Sequence, residues 1–141
     1  MSTTRTAKTH WEGSLAEGGG QVNMESSGIG MFDVSWASRA EEANGKTSPE
    51  ELIAAAHSSC FSMALSAALG KGGTPPTSLD TQADVDFTPG TGITGIHLTV
   101  VGTVDGISEE DFVAAAEDAK ANCPVSQALT GTTITLSASL A

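Results

Sequence analysis

The sequence is poor in basic residues and in long apolar runs. It has only six Lys and Arg against 17 Asp and Glu, which gives a formal net charge of −11. This balance disfavours partners that bind basic patches, so we expect neither nucleic acid nor an anionic membrane surface as a partner. The absence of a run of about 18 apolar residues predicts no membrane span. The N-terminal stretch also lacks the apolar segment of a secretory signal, so we expect a cytoplasmic protein.

Cysteine and arginine are almost missing, with Cys60, Cys123, Arg5 and Arg39 as their only representatives. A chain of this length can bury enough surface to fold without a disulfide, and persistent disulfides are uncommon in the cytoplasm. The cysteines and histidines do not have zinc-ligand spacing, and there is no P-loop or dinucleotide fingerprint. We therefore expect no metal and no bound cofactor.

The hydrophobic periodicity predicts one domain, residues 1–141, of the α+β class in the order βββ-α-ββ-αα-β. A long central helix is predicted from Pro49 to about Leu69, with Ser48 as N-cap and Glu51 completing a capping box. Because that helix is apolar nearly all round, we expect it to be buried on several sides, partly by a second subunit. The other predicted elements are two strands near Trp11 and Val22, strands at 31–36, 79–87, 93–104 and 132–140, and helices at 108–122 and 124–129.

Cys60 lies in the middle of the central helix, where its thiolate receives little help from the helix dipole. Desolvation there should raise the pKa of its thiol. A reactive Cys60 would therefore need a cation, and an arginine is always charged and offers several donors. We select Arg39, which lies just before the helix, over Arg5, which lies near a terminus that is expected to fray.

A buried arginine needs a counter-charge, and Glu50 is the acidic residue nearby that the capping box leaves free. Glu50 and Cys60 are ten residues apart in one helix, which corresponds to roughly 15 Å. One arginine could hardly touch both within one chain. We therefore hypothesise that Arg39 and Glu50 reach Cys60 from a partner subunit.

Cys123 lies near the start of a short helix, where a thiolate is favoured. The pair could act in a two-step redox cycle, in which Cys60 becomes a sulfenic acid and Cys123 condenses with it to a disulfide. The residues alone leave other interpretations open: Cys60 as a small hydrophobic residue, or a structural disulfide. His57, one turn before Cys60, could be a general base or simply a packed, hydrogen-bonded side chain.

Two motifs, TSPEELIAAAHSSCFSMALS and KANCPVSQAL, make the sequence resemble the OsmC/Ohr family, and within it the osmotically inducible protein C branch. HWEG near the start, TSLDTQADVDF after the long helix and the closing ITLS are also similar, so the resemblance covers essentially the whole chain. The arginine position typical of the hydroperoxide-resistance branch has no counterpart here, because residues 16–21 contain no basic side chain.

The resemblance implies an intertwined homodimer that is a thiol-dependent peroxidase in oxidative or osmotic stress defence. It implies reduction of organic hydroperoxides, and of hydrogen peroxide more slowly, with a dithiol reductant for which a lipoyl group is one candidate. Carried over by motif, Cys60 corresponds to the peroxidatic cysteine, Cys123 to the resolving cysteine, and Glu50 and Arg39 to the residues that assist them. The alternative function is a non-catalytic dimer that holds a hydrophobic ligand between its central helices.

Overall fold

The computed structural model describes all residues 1–141 and divides them into two compact units, residues 1–52 and 53–141. The assignment of one domain to the whole chain stays a prediction. The elements in chain order are β1 Lys8–Glu12, β2 Gly19–Asn23, β3 Met31–Val34, α1 Trp36–Ala40, α2 Pro49–Lys71, β4 Ser78–Thr88, β5 Gly92–Thr103, α3 Glu109–Asn122, α4 Pro124–Ala128 and β6 Ile134–Leu140. The predicted α+β class is confirmed, with one additional short helix, α1.

The first unit is a three-stranded antiparallel sheet in the order β1-β2-β3, followed by α1. The prediction of a third strand through Trp36 is wrong beyond Val34. Ser35 caps a helix instead, because its hydroxyl accepts from the Ser38 backbone N–H at 3.1 Å while the Ser38 hydroxyl accepts from the Ser35 N–H at 3.0 Å. This reciprocal capping box converts the end of an apolar alternation into the first turn of a helix.

The second unit is a three-stranded sheet in the order β4-β5-β6, with the apolar face of the sheet packed on helices. β4 and β5 are antiparallel, whereas β5 and β6 are parallel, so the chain between them must cross over, and α3 and α4 lie in this connection. The alternation along β4 places its aspartates outward and its apolar residues inward, as predicted. The fully buried side chains of the core include Phe61, Leu65, Leu98, Val100 and Phe112.

The start of α2 follows the predicted cap only in part. The Ser48 hydroxyl accepts from the Glu51 backbone N–H at 3.1 Å, but the Glu51 carboxylate accepts from the Thr47 hydroxyl rather than returning to Ser48. The helix runs two residues beyond the predicted end. It stops where Gly73 adopts a positive φ of 92°, which lets the Thr74 N–H reach the carbonyl of Leu69.

One face of α2 is buried within the chain and the other is exposed, so burial on further sides by a second subunit stays a prediction. Phe61, Leu65 and Leu69 enter the core of the second unit, whereas Met63 is 71% exposed. The small residues Ala55, Ala56, Ser59, Ser66 and Ala67 are exposed as well. By length and composition alone α2 could cross a membrane, with a mean hydropathy of 1.5, but its buried face shows that it is a core helix.

Candidate active site

The two cysteine side chains meet within the second unit, and both are free thiols. Cys60 lies on α2. Cys123 is the C-cap residue of α3 and also the N-cap residue of α4. Cys60 packs against the core cluster that contains Cys123, close enough for Cys123 to raise the pKa of the Cys60 thiol. The predicted position of Cys123 at a helix start is therefore confirmed, and the two sulfurs are placed where they can react with each other.

The two thiols differ in burial, and Cys60 is less buried than predicted. Cys123 has no exposed surface, whereas Cys60, predicted to be deeply buried, is only half-buried. The reason is that Cys60 lies toward the edge of the buried face of α2, while the chain reversal at Cys123 turns its side chain into the core. Cys60 therefore keeps some exposed surface, whereas Cys123 keeps none.

Burial raises the pKa of the Cys60 thiol, as predicted, and the neighbouring Cys123 thiol raises it further. The backbone N–H of Val125, in the first turn of α4, donates toward the Cys60 sulfur and lowers that pKa in part. The net shift is upward. Within one chain, the thiol therefore lacks the positive charge that a reactive thiolate requires.

Arg39 and Glu50 form a bidentate ion pair inside the first unit. The Arg39 Nε lies 3.0 and 3.1 Å from the two carboxylate oxygens of Glu50, and Nη2 lies 2.9 Å from Oε2. The Ser38 hydroxyl helps to hold α1 against the approach to α2, because it donates to the Thr47 carbonyl at 3.1 Å. The Glu50 side chain is 8% exposed and that of Arg39 is 32% exposed, so the carboxylate is the more deeply buried partner of the pair.

The predicted pairing of Arg39 with Glu50 is confirmed, whereas the choice of Arg39 over Arg5 as the cation that assists Cys60 stays a prediction. The Arg5 side chain is exposed, and its Nη1 donates to the carbonyl of the adjacent Thr4. No group of three or more His, Cys, Asp or Glu side chains is arranged to hold a metal ion.

A cavity of about 260 Å³ lies beside Arg39 in the first unit. Its walls are mainly apolar and include Trp11, Leu15, Trp36 and Leu52. The combination of an apolar wall and one guanidinium is suited to a small molecule with an apolar tail and a polar head.

Two further residues complete the surroundings of the thiols, and sequence reasoning overlooked one of them. His57 is fully buried, and its Nε2 lies 2.7 Å from the Ser126 hydroxyl of α4. The sequence could have indicated Ser126, because it follows Cys123 by three residues in a helix, as Cys60 follows His57. The Val125 N–H gave no signal, since every residue except proline has one.

Comparison with known proteins identifies the family of the chain. Residues 42–137 match the family described as OsmC-like protein. The chain is 44% identical to Peroxiredoxin OsmC of Escherichia coli (strain K12) over 132 residues, which cover 92% of each protein, and equally similar to Peroxiredoxin OsmC of Shigella flexneri.

Solved structures share the fold at lower identity. An organic hydroperoxide resistance protein OsmC from Legionella pneumophila superimposes with a TM-score of 0.72 at 24% identity, covering 97% of both chains. The organic hydroperoxide resistance protein OhrB of Bacillus subtilis gives a TM-score of 0.68 at 24% identity, covering 94% of this chain and 97% of its own. The match over residues 42–137 and the identity across nearly the full length agree with the motifs around both cysteines: the chain belongs to the OsmC family.

Proposed function

We propose that the protein reduces organic hydroperoxides, and hydrogen peroxide more slowly, with Cys60 as peroxidatic and Cys123 as resolving cysteine. That it is a cysteine-based peroxidase follows from its family and from its 44% identity to Peroxiredoxin OsmC. The single observation that supports the finer assignment is the proximity of the two free thiols, because Cys60 packs against the core cluster that contains Cys123. A role in oxidative or osmotic stress defence goes with this activity.

The proposed cycle uses only the two sulfurs of the chain and an external thiol, with no bound cofactor. The Cys60 thiolate attacks the O–O bond of ROOH, which breaks to give a sulfenic acid on Cys60 and, with one proton, the alcohol ROH. Cys123 then displaces the sulfenic oxygen as water and forms the disulfide. A dithiol, for which a lipoyl group is one candidate, returns both cysteines to thiols.

The proposed dimer supplies the charge that Cys60 lacks in its own chain. Arg39 is held on Glu50, ten residues from Cys60 along α2, or about 15 Å. The exposed small-residue face of α2 offers a surface on which a second copy can pack closely. An arginine placed near Cys60 by that copy would lower the pKa of the thiol and reverse the upward shift.

The cavity beside Arg39 supports a substrate with an apolar tail. In the proposed dimer the guanidinium binds the peroxide oxygens while the tail occupies the cavity beside Trp11 and Trp36. We propose a cytoplasmic location, and no nucleic acid or membrane as partner, because the chain carries a net charge of −11.

The test is a stoichiometric titration of the reduced protein with cumene hydroperoxide, followed by alkylation and mass mapping. The parent is expected to lose one hydrogen from each thiol and to protect both cysteines from alkylation. Cys60→Ser is expected to abolish turnover, whereas Cys123→Ser is expected to complete one oxidation and then recycle poorly. Normal turnover by Cys60→Ser would contradict the assignment.

A second candidate function is a non-catalytic dimer that binds a hydrophobic ligand, which the apolar cavity favours. The same titration separates the two functions. A binding protein would keep two alkylatable thiols after addition of the peroxide, while a peroxidase would keep none.

A further inference from the structure

His57 and Ser126 form a second connection between the helices that carry the thiols. On α2, Cys60 follows His57 by three residues, and on the approach to α4, Ser126 follows Cys123 by three residues. The hydrogen bond between His57 and Ser126 therefore lies about one helical turn from the place where Cys60 and Cys123 approach each other. Both residues are buried, at 0% and 5% exposure.

The attachment of α4 depends on few contacts. The helix has five residues, which is too short to be stable by itself, and Cys123 provides no side-chain cap for it. Pro124, Gln127 and Ala128 are exposed, so α4 is held mainly through Cys123, Val125 and Ser126. The hydrogen bond between His57 and Ser126, at 2.7 Å, is therefore a polar contact that fixes α4 against α2 apart from the two thiols.

We propose that the His57–Ser126 hydrogen bond is a positioning device for the resolution step, which holds Cys123 and the Val125 N–H against the Cys60 sulfur. This inference rests on the proposed peroxidase cycle. In that step, the S–O bond of the Cys60 sulfenic acid breaks, the S–S bond to Cys123 forms, and the oxygen leaves as water with the Cys123 proton. The sulfurs must close from a non-bonded contact to a covalent bond, so the placement of α4 controls the rate.

The unpaired Nδ1 atom of His57 makes it possible to separate an effect on the position of α4 from an effect on the stability of the fold. This atom is buried and has no hydrogen-bond partner, which is costly for the fold. Leucine at position 57 would remove that atom together with the link to Ser126. Stability should therefore change little in His57→Leu, while the closing of the disulfide slows.

The experiment follows both oxidation steps after rapid mixing of the reduced protein with cumene hydroperoxide. Samples quenched with dimedone report the sulfenic acid, and alkylation with mass analysis reports the disulfide. Ser126→Ala and His57→Leu should form the sulfenic acid but close the disulfide about tenfold more slowly, a factor typical of one lost hydrogen bond. His57→Gln, whose amide nitrogen can replace Nε2, should recover part of the rate.

The matched control is Ser137→Ala, which removes another His–Ser contact. Ser137 lies 3.0 Å from Nε2 of His97 and is exposed on the sheet, away from the thiols. This variant should close the disulfide at the parent rate. The pH profile of Cys60 alkylation adds a second readout, because Ser126→Ala should move its midpoint upward as the Val125 N–H withdraws.

Three results would overturn the proposal, and they are distinguishable. Disulfide closure at the parent rate in Ser126→Ala would show that the bond positions nothing. If the rate of disulfide closure falls only in proportion to the fraction of folded protein, measured by thermal melting, the hydrogen bond stabilises the fold and does not position the thiols. A parent protein that never forms a sulfenic acid would reject the peroxidase cycle itself.

Discussion

A complementation experiment with two defective variants tests whether Arg39 of one chain assists Cys60 of the other chain. One chain carries Cys60→Ser and keeps Arg39, and the other keeps Cys60 and carries Arg39→Gln. Glutamine removes the charge but retains a donor for the buried Glu50, which limits the loss of stability. Two purification tags, one on each chain, isolate the mixed dimer from both homodimers.

The expected magnitude follows from the geometry of the ion pair. Because Arg39 is held on Glu50, at about 15 Å along α2 from Cys60, each Arg39 should complete the site of its partner. The mixed dimer then has one intact site and about half the activity of the parent dimer. Each homodimer is inactive or weak, because loss of a neighbouring arginine raises a pKa by about 1–3 units and depletes the thiolate accordingly.

The control reverses the expectation. In the control dimer, both substitutions lie in one chain and the other chain is unmodified. If Arg39 assists Cys60 of the partner chain, this dimer has no intact site. If Arg39 assists Cys60 of its own chain, the dimer has one intact site. Peroxidase turnover with cumene hydroperoxide and a dithiol measures both dimers. An active control together with an inactive mixed dimer would refute the reasoning, and so would a stable monomer with full activity.

Two further predictions concern the fold of the second unit. Gly102→Ala should lower the free energy of unfolding by about 1–3 kcal/mol, because its Cβ would lie 2.6 Å from two ring atoms of Phe112. Gly95→Ala in the same strand, whose nearest neighbour would be 3.8 Å away, should cost far less in denaturant titrations, and equal losses would contradict this account. Burial lowers the pKa of His57 below its ordinary 6.5, so the unfolded chain binds a proton there before the folded chain does. Stability should therefore fall as the pH drops below 6.5, by at most about 1.4 kcal/mol per pH unit from this residue, and His57→Leu should lose less between about pH 7.5 and pH 5.5.

Much of the fold could be predicted because its signals are local. The predicted strand at 79–87 and the predicted helix at 108–122 are both confirmed, as β4 and α3. The short helix α1 was missed because its cap is a reciprocal pair of serines, Ser35 and Ser38, placed at the end of an apolar alternation. A period-two pattern and the first turn of a helix cannot be separated over so few residues.

In the site, too, the contact that could be predicted joins residues close in the sequence, and the contact that was missed joins distant residues. The pairing of Arg39 with Glu50 was predictable because the chain has only two arginines and a buried arginine needs a carboxylate partner. The bond between His57 and Ser126 joins residues 69 positions apart in the sequence. Only the parallel crossover from β5 to β6 brings α4 against α2, and the hydrophobic pattern does not encode that contact.

The unequal exposure of the two sulfurs also sets the direction of the return reaction. In a disulfide between them, the fully buried Cys123 sulfur would be closed to an incoming thiolate, while the half-buried Cys60 sulfur would remain accessible. A reducing thiol would therefore form its mixed disulfide with Cys60, and Cys123 would depart as the leaving group. Oxidant and reductant would enter by the same opening at successive stages, so a bound alcohol product would delay reduction as well as the next peroxide.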